Sequence, residues 1–158
     1  MEIRDDPPFE VTYVGNDGRA KNLQVFVDAA KELPDVQFLI IGDGVDMPSI
    51  RERVERNGSE NVEFTGKVEW EELARYYGNT AVLYTQLDEK YSAAMPSKLY
   101  EYASTGLPVI YGGIGQAVTF LEKIENAMII EPNDAAALGN AITHMKERHV
   151  TVSEETWQ

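Results

Sequence analysis

The 158-residue chain has no cysteine and only two histidines, His144 and His149, both near its C-terminus. The first absence excludes disulfides and thiolate metal sites, and suits a reducing cytoplasm. The second removes any histidine-based metal cluster. No apolar run approaches the roughly 20 residues that cross a bilayer as a helix, and the opening MEIRDDPPFE is not a signal peptide. Cations are the minority charge: 14 Lys and Arg stand against 27 Asp and Glu, a net charge of −13. A field of that sign repels nucleic acid and anionic membrane surfaces. It still admits a small anionic ligand, because screening over about 8 Å lets a local basic cluster govern its own cleft. A P-loop and a full G-x-G-x-x-G are also missing, so Gly42-Asp43-Gly44 reads as a plain turn. No Ser/His/Asp constellation is visible, and His144 reads as a surface residue.

What is present describes one domain with a real core: 43% hydrophobic and 26% charged residues, ordinary for a soluble globular chain. Residues 1–8 are polar, end in Pro7-Pro8 and read as a leader or linker. Six strands are then predicted, at Phe9–Val14, Val36–Ile41, Asn61–Phe64, Thr80–Gln86, Leu107–Tyr111 and Ala127–Ile130. Each is followed by a helix: Lys21–Glu32, Pro48–Arg56, Glu69–Tyr77, Ser97–Ser104, Gln116–Ile124 and Asn133–Lys146. In the first helix Leu23, Phe26, Val27 and Ala30 share one face, and the last is capped by Asn133 or Asp134. Such alternation predicts an α/β fold, a three-layer α/β/α sandwich on a doubly wound parallel six-stranded sheet. The domain is assigned to residues 9–149, and the acidic tail 150–158 is left without a structure.

A doubly wound sheet binds ligands at the carboxyl ends of its strands, where the strand order reverses. If the order is 3-2-1-4-5-6, that point lies between strands one and four. The loop leaving strand one carries Gly15, Asn16, Gly18, Arg19 and Lys21. The segment beyond strand four leads into Met95-Pro96-Ser97-Lys98-Leu99-Tyr100-Glu101-Tyr102. Pro96 and Ser97 suit a helix start, whereas Lys98 in the first turn opposes the helix dipole unless an anion sits at the mouth. Glu101, one turn on, would reach a hydroxyl-rich part of the same ligand. A diphosphate linked to a sugar fits this set; an ordinary capped helix with Lys98 and Glu101 solvated fits it as well. Three or four charge-assisted hydrogen bonds, at about 1.5–3 kcal/mol each, supply most of the roughly −8 kcal/mol of micromolar binding. Gly112, Gly113 and Gly115 read as a tight strand-to-helix turn, or as room for backbone to approach a ligand, and Tyr76, Tyr77, Tyr100 and Tyr102 as packing.

The loop V-G-N-D-G-R-A-K-N-L, the segments L-I-I-G-D-G and V-E-F-T-G-K-V, and above all M-P-S-K-L-Y-E-Y-A-S-T-G-L-P-V-I resemble a known family. It is the C-terminal, donor-binding domain of retaining GT-B-fold glycosyltransferases of family 4, and the match runs from about Phe9 to Lys146. Within it the chain looks most like the branch that transfers amino or deoxy sugars in surface-polysaccharide and glycoconjugate assembly. The resemblance implies a nucleotide-diphosphate sugar, of UDP or GDP type, as donor substrate, with no cofactor and no metal. Lys21 matches the lysine that contacts the diphosphate, and Arg19 stands in for an arginine whose place Asn16 occupies. Pro96, Ser97, Lys98 and Leu99 match the helix start that receives phosphate oxygens, and Glu101 the glutamate that holds the ribose. Val68 matches a position near the nucleobase, and Gly15 and Gly18 open the first loop. The first glutamate of the family's E-x7-E motif falls at Ala93 here. The implied chemistry is hexosyl transfer with retention, in which Lys21, Arg19 and Glu101 act on the departing nucleotide.

An enzyme of this kind also has an N-terminal acceptor domain, for which 158 residues leave no room. The expectation is therefore the donor half of a longer, cytoplasmic enzyme, inactive alone, with any membrane association made through the other domain. The alternatives are a non-catalytic nucleotide-sugar-binding module, a donor subunit acting in trans, or half of a nucleotide-sugar epimerase.

Overall fold

The computed structural model describes residues 8–15, 23–44, 47–86, 97–124 and 126–156, with the side chains of residues 97, 98, 116 and 149–156 outside that description. Apolar runs become strands and each amphipathic run becomes a helix. The order is β1 (Glu10–Val14), α1 (Leu23–Glu32), β2 (Gln37–Ile41), α2 (Met47–Asn57), β3 (Val62–Gly66), α3 (Trp70–Asn79), β4 (Val82–Gln86), α4 (Ser97–Thr105), β5 (Val109–Gly112), α5 (Gln116–Leu121), β6 (Ala127–Ile130) and α6 (Ala135–Thr156). All six strands are parallel in one sheet ordered β3-β2-β1-β4-β5-β6. The expected fold class and strand order are the observed ones.

The strand alternation sorts the core into two layers. Val11, Tyr13, Phe38, Ile40, Val82, Tyr84 and Ile110 face α1, α2 and α6. Val14, Leu39, Ile41, Leu83, Val109 and Tyr111 face α3, α4 and α5. In the first layer Phe26 of α1 stacks on Tyr84 (ring centroids 5.3 Å) and meets Phe38 edge-on at 5.0 Å. The chain reversal from α1 into β2 is held from a distance. Asn61, just before β3, places its side-chain amide 2.8–3.1 Å from the carbonyls of Ala30, Leu33 and Val36.

Helix ends differ in places from the sequence expectation. Asn133 sits at φ 61°, outside helical geometry. Asp134 is therefore the cap, its Oδ1 accepting the Ala137 amide at 2.9 Å. α6 continues through Thr156 into the stretch left unassigned, and α5 stops at Leu121, three residues short of the expected end.

On the outer face, Arg53 of α2 donates to Asp28 of α1 with both Nε (2.8 Å) and Nη2 (2.6 Å), and Asn57 adds a third donor at 3.2 Å. The Arg53 hydrogen bonds are the main cause of an Asp28 carboxyl held below its usual range, and burial opposes them. A depressed folded pKa means stability that is present above about pH 4 and is lost as the pH falls through the folded value. The side chains remain 39% and 31% exposed, so solvent screening keeps the pair near 0.5–1 kcal/mol. Asp28→Asn is expected to lower the midpoint of thermal unfolding by about 1–4 °C at pH 7. The gap from wild type should close in acid, which calorimetry at several pH values would measure.

Candidate functional site

The strand order reverses between β1 and β4, and the chain departs from that point to opposite faces of the sheet. Pairing of these two strands runs from Val11↔Val82 to Tyr13↔Tyr84 and then stops. Beyond it the next backbone position is served by a side chain. The hydroxyl of Tyr102, a fully buried residue of α4, accepts the Val14 amide at 2.9 Å. It also lies 3.2 Å from the Tyr84 carbonyl and 3.4 Å from that of Val14, to which it can donate. The split between the strands is thus stitched by one phenol, and α4 is fixed to the ends of both β1 and β4.

The floor beside this split is backbone on backbone. The Gly15 amide donates to the Ile41 carbonyl at 3.0 Å, and the Gly42 amide to the Gly66 carbonyl at 2.9 Å. Gly42 adopts φ 123°, and a Cβ there would lie 1.8 Å from the Gly15 carbonyl oxygen. Gly42 is therefore a point of close backbone approach.

On the far side of β4, Gln86 is buried and exchanges hydrogen bonds with Asn133. Its Nε2 donates to Asn133 Oδ1 at 2.8 Å, and its Oε1 accepts the Asn133 amide at 3.1 Å and the Tyr84 hydroxyl at 2.9 Å. This interlock holds the β6–α6 turn against the end of β4. Gly112 and Gly113 make room within the core: a Cβ on Gly113 would come 2.6 Å from the Tyr111 ring, and one on Gly112 would come 3.1 Å from Gln86 Cβ.

α4 begins at Ser97 with Lys98 next, and Leu99 is its fully buried anchor. Glu101 is half-buried and accepts a hydrogen bond from the hydroxyl of Tyr77 on α3. Burial first, and then the Glu101 carboxylate, push the Tyr77 hydroxyl well above its usual range, so it stays a donor. Val68 follows β3 and packs part-buried against the α3–α4–α5 layer. Asn16, Gly18, Arg19, Lys21 and Pro96 lie outside the described residues. Of the expected site residues, the structure joins Gly15 to α4 through its neighbour Val14 and Tyr102. It places Val68 and Glu101 on the α3–α4 side.

Tyr77, Tyr102, Gln86 and Asn133 went unnoticed in the sequence as site-building residues. An open groove of about 730 Å³ lies elsewhere, between α1, α2 and α6, lined in part by Asp28, Arg53 and Asn140. Its lining belongs to the layer away from α4.

These features define a doubly wound α/β domain whose strand order reverses between β1 and β4, the point at which such sheets bind ligands. The chain belongs to the glycosyl transferases group 1 family, whose model matches residues 8–148. A search of curated proteins finds no match. Among solved structures, HepE of Anabaena in complex with UDP and glucose is similar, with a TM-score of 0.75 and 19% identity over 88% of this chain. The chain spans 39% of the length of that relative. The catalytic domain of cholesterol-alpha-glucosyltransferase from Helicobacter pylori gives a TM-score of 0.75 at 22% identity, covering 91% of this chain and 89% of that one. The C-terminal domain of a glycosyl transferase group 1 family protein (LpcC) from Francisella tularensis gives 0.72 at 17% identity, covering 89% and 76%. At these identities the likeness is one of fold, the Rossmann-like half of a GT-B glycosyltransferase.

Proposed function

We propose that this chain is the donor-binding half of a family 4 glycosyltransferase that moves a hexosyl group from a nucleotide-diphosphate sugar with retention. The observation that carries the reading is the Tyr102 stitch. It ties α4, the helix that begins at Ser97-Lys98, to β1 and β4 at the strand reversal. A helix N-terminus with a lysine in its first turn favours an anion. The diphosphate would lie there, flanked by Lys21 and Arg19 from the first loop. Glu101 would take the ribose, and Val68 would lie by the base. HepE, of like fold, binds UDP and glucose, which supports the same class of ligand here. The reading uses no cofactor: cations and amides stabilise the negative charge that grows on the leaving diphosphate.

Trp70, Tyr100 and Ile114 are the exposed large apolar side chains among the described residues. They sit at the start of α3, in the first turn of α4 and after β5, toward the carboxyl edge of the sheet. That is the edge an acceptor-binding domain would cover, and we place this half in a longer cytoplasmic enzyme of surface glycoconjugate synthesis. The isolated chain is then expected to bind donor and to transfer little. No described helix is long and apolar enough to cross a membrane.

Thermal unfolding against a panel of UDP, GDP and their sugars tests the reading. A ligand at 100 times its Kd adds about 2.7 kcal/mol, or a rise of roughly 5–10 °C for a domain of this size. Lys98→Ala and Lys21→Ala should each weaken the nucleoside diphosphate about tenfold, the effect of one charge-assisted hydrogen bond. No shift with any nucleotide would overturn the proposal.

A further inference from the structure

Tyr77 stands where a packing residue would serve, yet its hydroxyl reaches across from α3 to the one carboxylate on the first turns of α4. A ring contact holds it there. Its ring meets the Tyr102 ring edge-on, with centroids 6.5 Å apart and planes at 85°. Tyr102 is in turn fully buried and hydrogen-bonded to β1 and β4. The phenol has two rotatable torsions and packs on a ring that is itself held to two strands. Glu101, by contrast, has three side-chain torsions and is half-buried. Helical side chains lean toward the N-terminus of their helix, which for Glu101 is the direction of Ser97. The Tyr77 hydroxyl donates to Oε2 of the Glu101 carboxylate.

We propose that Tyr77 is a positioning residue, which holds Glu101 in the single orientation that accepts the vicinal hydroxyls of a ribose. The proposal rests on the nucleotide-sugar reading above. It names one contact by which Glu101 keeps its orientation before ligand arrives. The geometry also accounts for the residue type. A phenylalanine would fill the same space against Tyr102, and only the hydroxyl carries the contact to Glu101. Tyr77 does not touch the ligand in this scheme; it acts through Glu101 alone.

The test is calorimetric titration of the full 158-residue chain with UDP and with 2′,3′-dideoxy-UDP, or with the guanine pair if the wild type prefers GDP. It compares wild type, Tyr77→Phe, Glu101→Gln and the double variant. Tyr77→Phe should weaken the ribonucleotide about three- to tenfold, the effect of one hydrogen bond that orders a charged partner. It should leave the dideoxy analogue within about twofold and, in the Glu101→Gln background, change neither. A ribose-specific loss is something a merely structural role for Tyr77 would not produce. If Tyr77→Phe weakens both nucleotides alike, weakens neither, or adds its full effect on top of Glu101→Gln, the positioning role is wrong while the nucleotide site stands. If wild type binds neither UDP nor GDP, the donor-site reading fails, and this inference fails with it.

Discussion

Replacing Gly42 by alanine is expected to cost about 3–5 kcal/mol of folding stability and to lower the unfolding midpoint by about 10 °C or more. Two effects add at this position. At φ 123° the backbone lies where a side chain is strained, at roughly 1–3 kcal/mol. In addition the new Cβ would fall 1.8 Å from the Gly15 carbonyl oxygen and 2.8 Å from its carbon. These are backbone atoms and cannot swing aside as the end of a flexible side chain could. Gly15 is itself bonded through its amide to Ile41, and Gly42 to Gly66, so relief must break the stitching of three strand ends. Gly58→Ala is the control. Its φ is 70° but nothing lies within 4 Å of the added Cβ, so it should show the conformational cost alone, about 1 kcal/mol. Urea denaturation of both variants separates clash from strain. Equal losses would mean that the Gly15–Gly42 approach is looser than described. Because Gly15 begins the first loop of the proposed donor site, Gly42→Ala should also weaken nucleotide binding in whatever fraction remains folded.

The sheet was readable because its signals are local and repeated. VQFLII at β2 is apolar on both faces, as a strand covered on both sides must be. Leu23, Phe26, Val27 and Ala30 mark one face of α1 without reference to anything else. Six such alternations leave few topologies, since parallel crossovers are right-handed. What stayed hidden depends on partners far away in the chain. The Tyr102 hydroxyl meets residues 18 and 88 positions away, and Gln86 locks to Asn133 across 47. No periodicity tells where a hydroxyl or an amide will end. Asn61, within reach of three carbonyls at once, looks like any polar residue at a strand start. Gly42 reads as part of a turn in the sequence, and the approach of Gly15 from another strand, which shapes the position, leaves no local signal. The far end of α6 was missed for a local reason. Val150, Thr151 and Val152 are β-branched and weak helix formers, yet the helix runs on through Thr156.

The second large effect is expected at Tyr102. Tyr102→Phe keeps the ring and its contacts but leaves the Val14 amide with no phenol to receive it. A buried donor stripped of its acceptor costs about 1–3 kcal/mol, and the loss falls at the seam between β1 and β4. Tyr102→Ala removes the ring as well, leaving a cavity among Leu99, Leu83 and Tyr77, and should cost about 3–5 kcal/mol, as for other large aromatics. Tyr100, two residues earlier and 58% exposed, serves as the neutral control, and Tyr100→Phe should shift stability by less than about 0.5 kcal/mol. Alkaline titration gives a second readout. Burial pushes the Tyr102 hydroxyl well above its ordinary value near 10, against the opposing pull of the Val14 amide. A folded pKa raised above the unfolded one means stability that is complete below about pH 10 and declines as the pH climbs toward the folded value. Tyr102→Phe removes that contribution, so its stability should fall less steeply above pH 10 than that of the wild type. If the two slopes agree, the Tyr102 hydroxyl is more accessible to water than its place in the seam requires. If Tyr102→Phe is as stable as wild type at pH 7, Val14 has another acceptor, and α4 is held to the strand ends by ring packing alone.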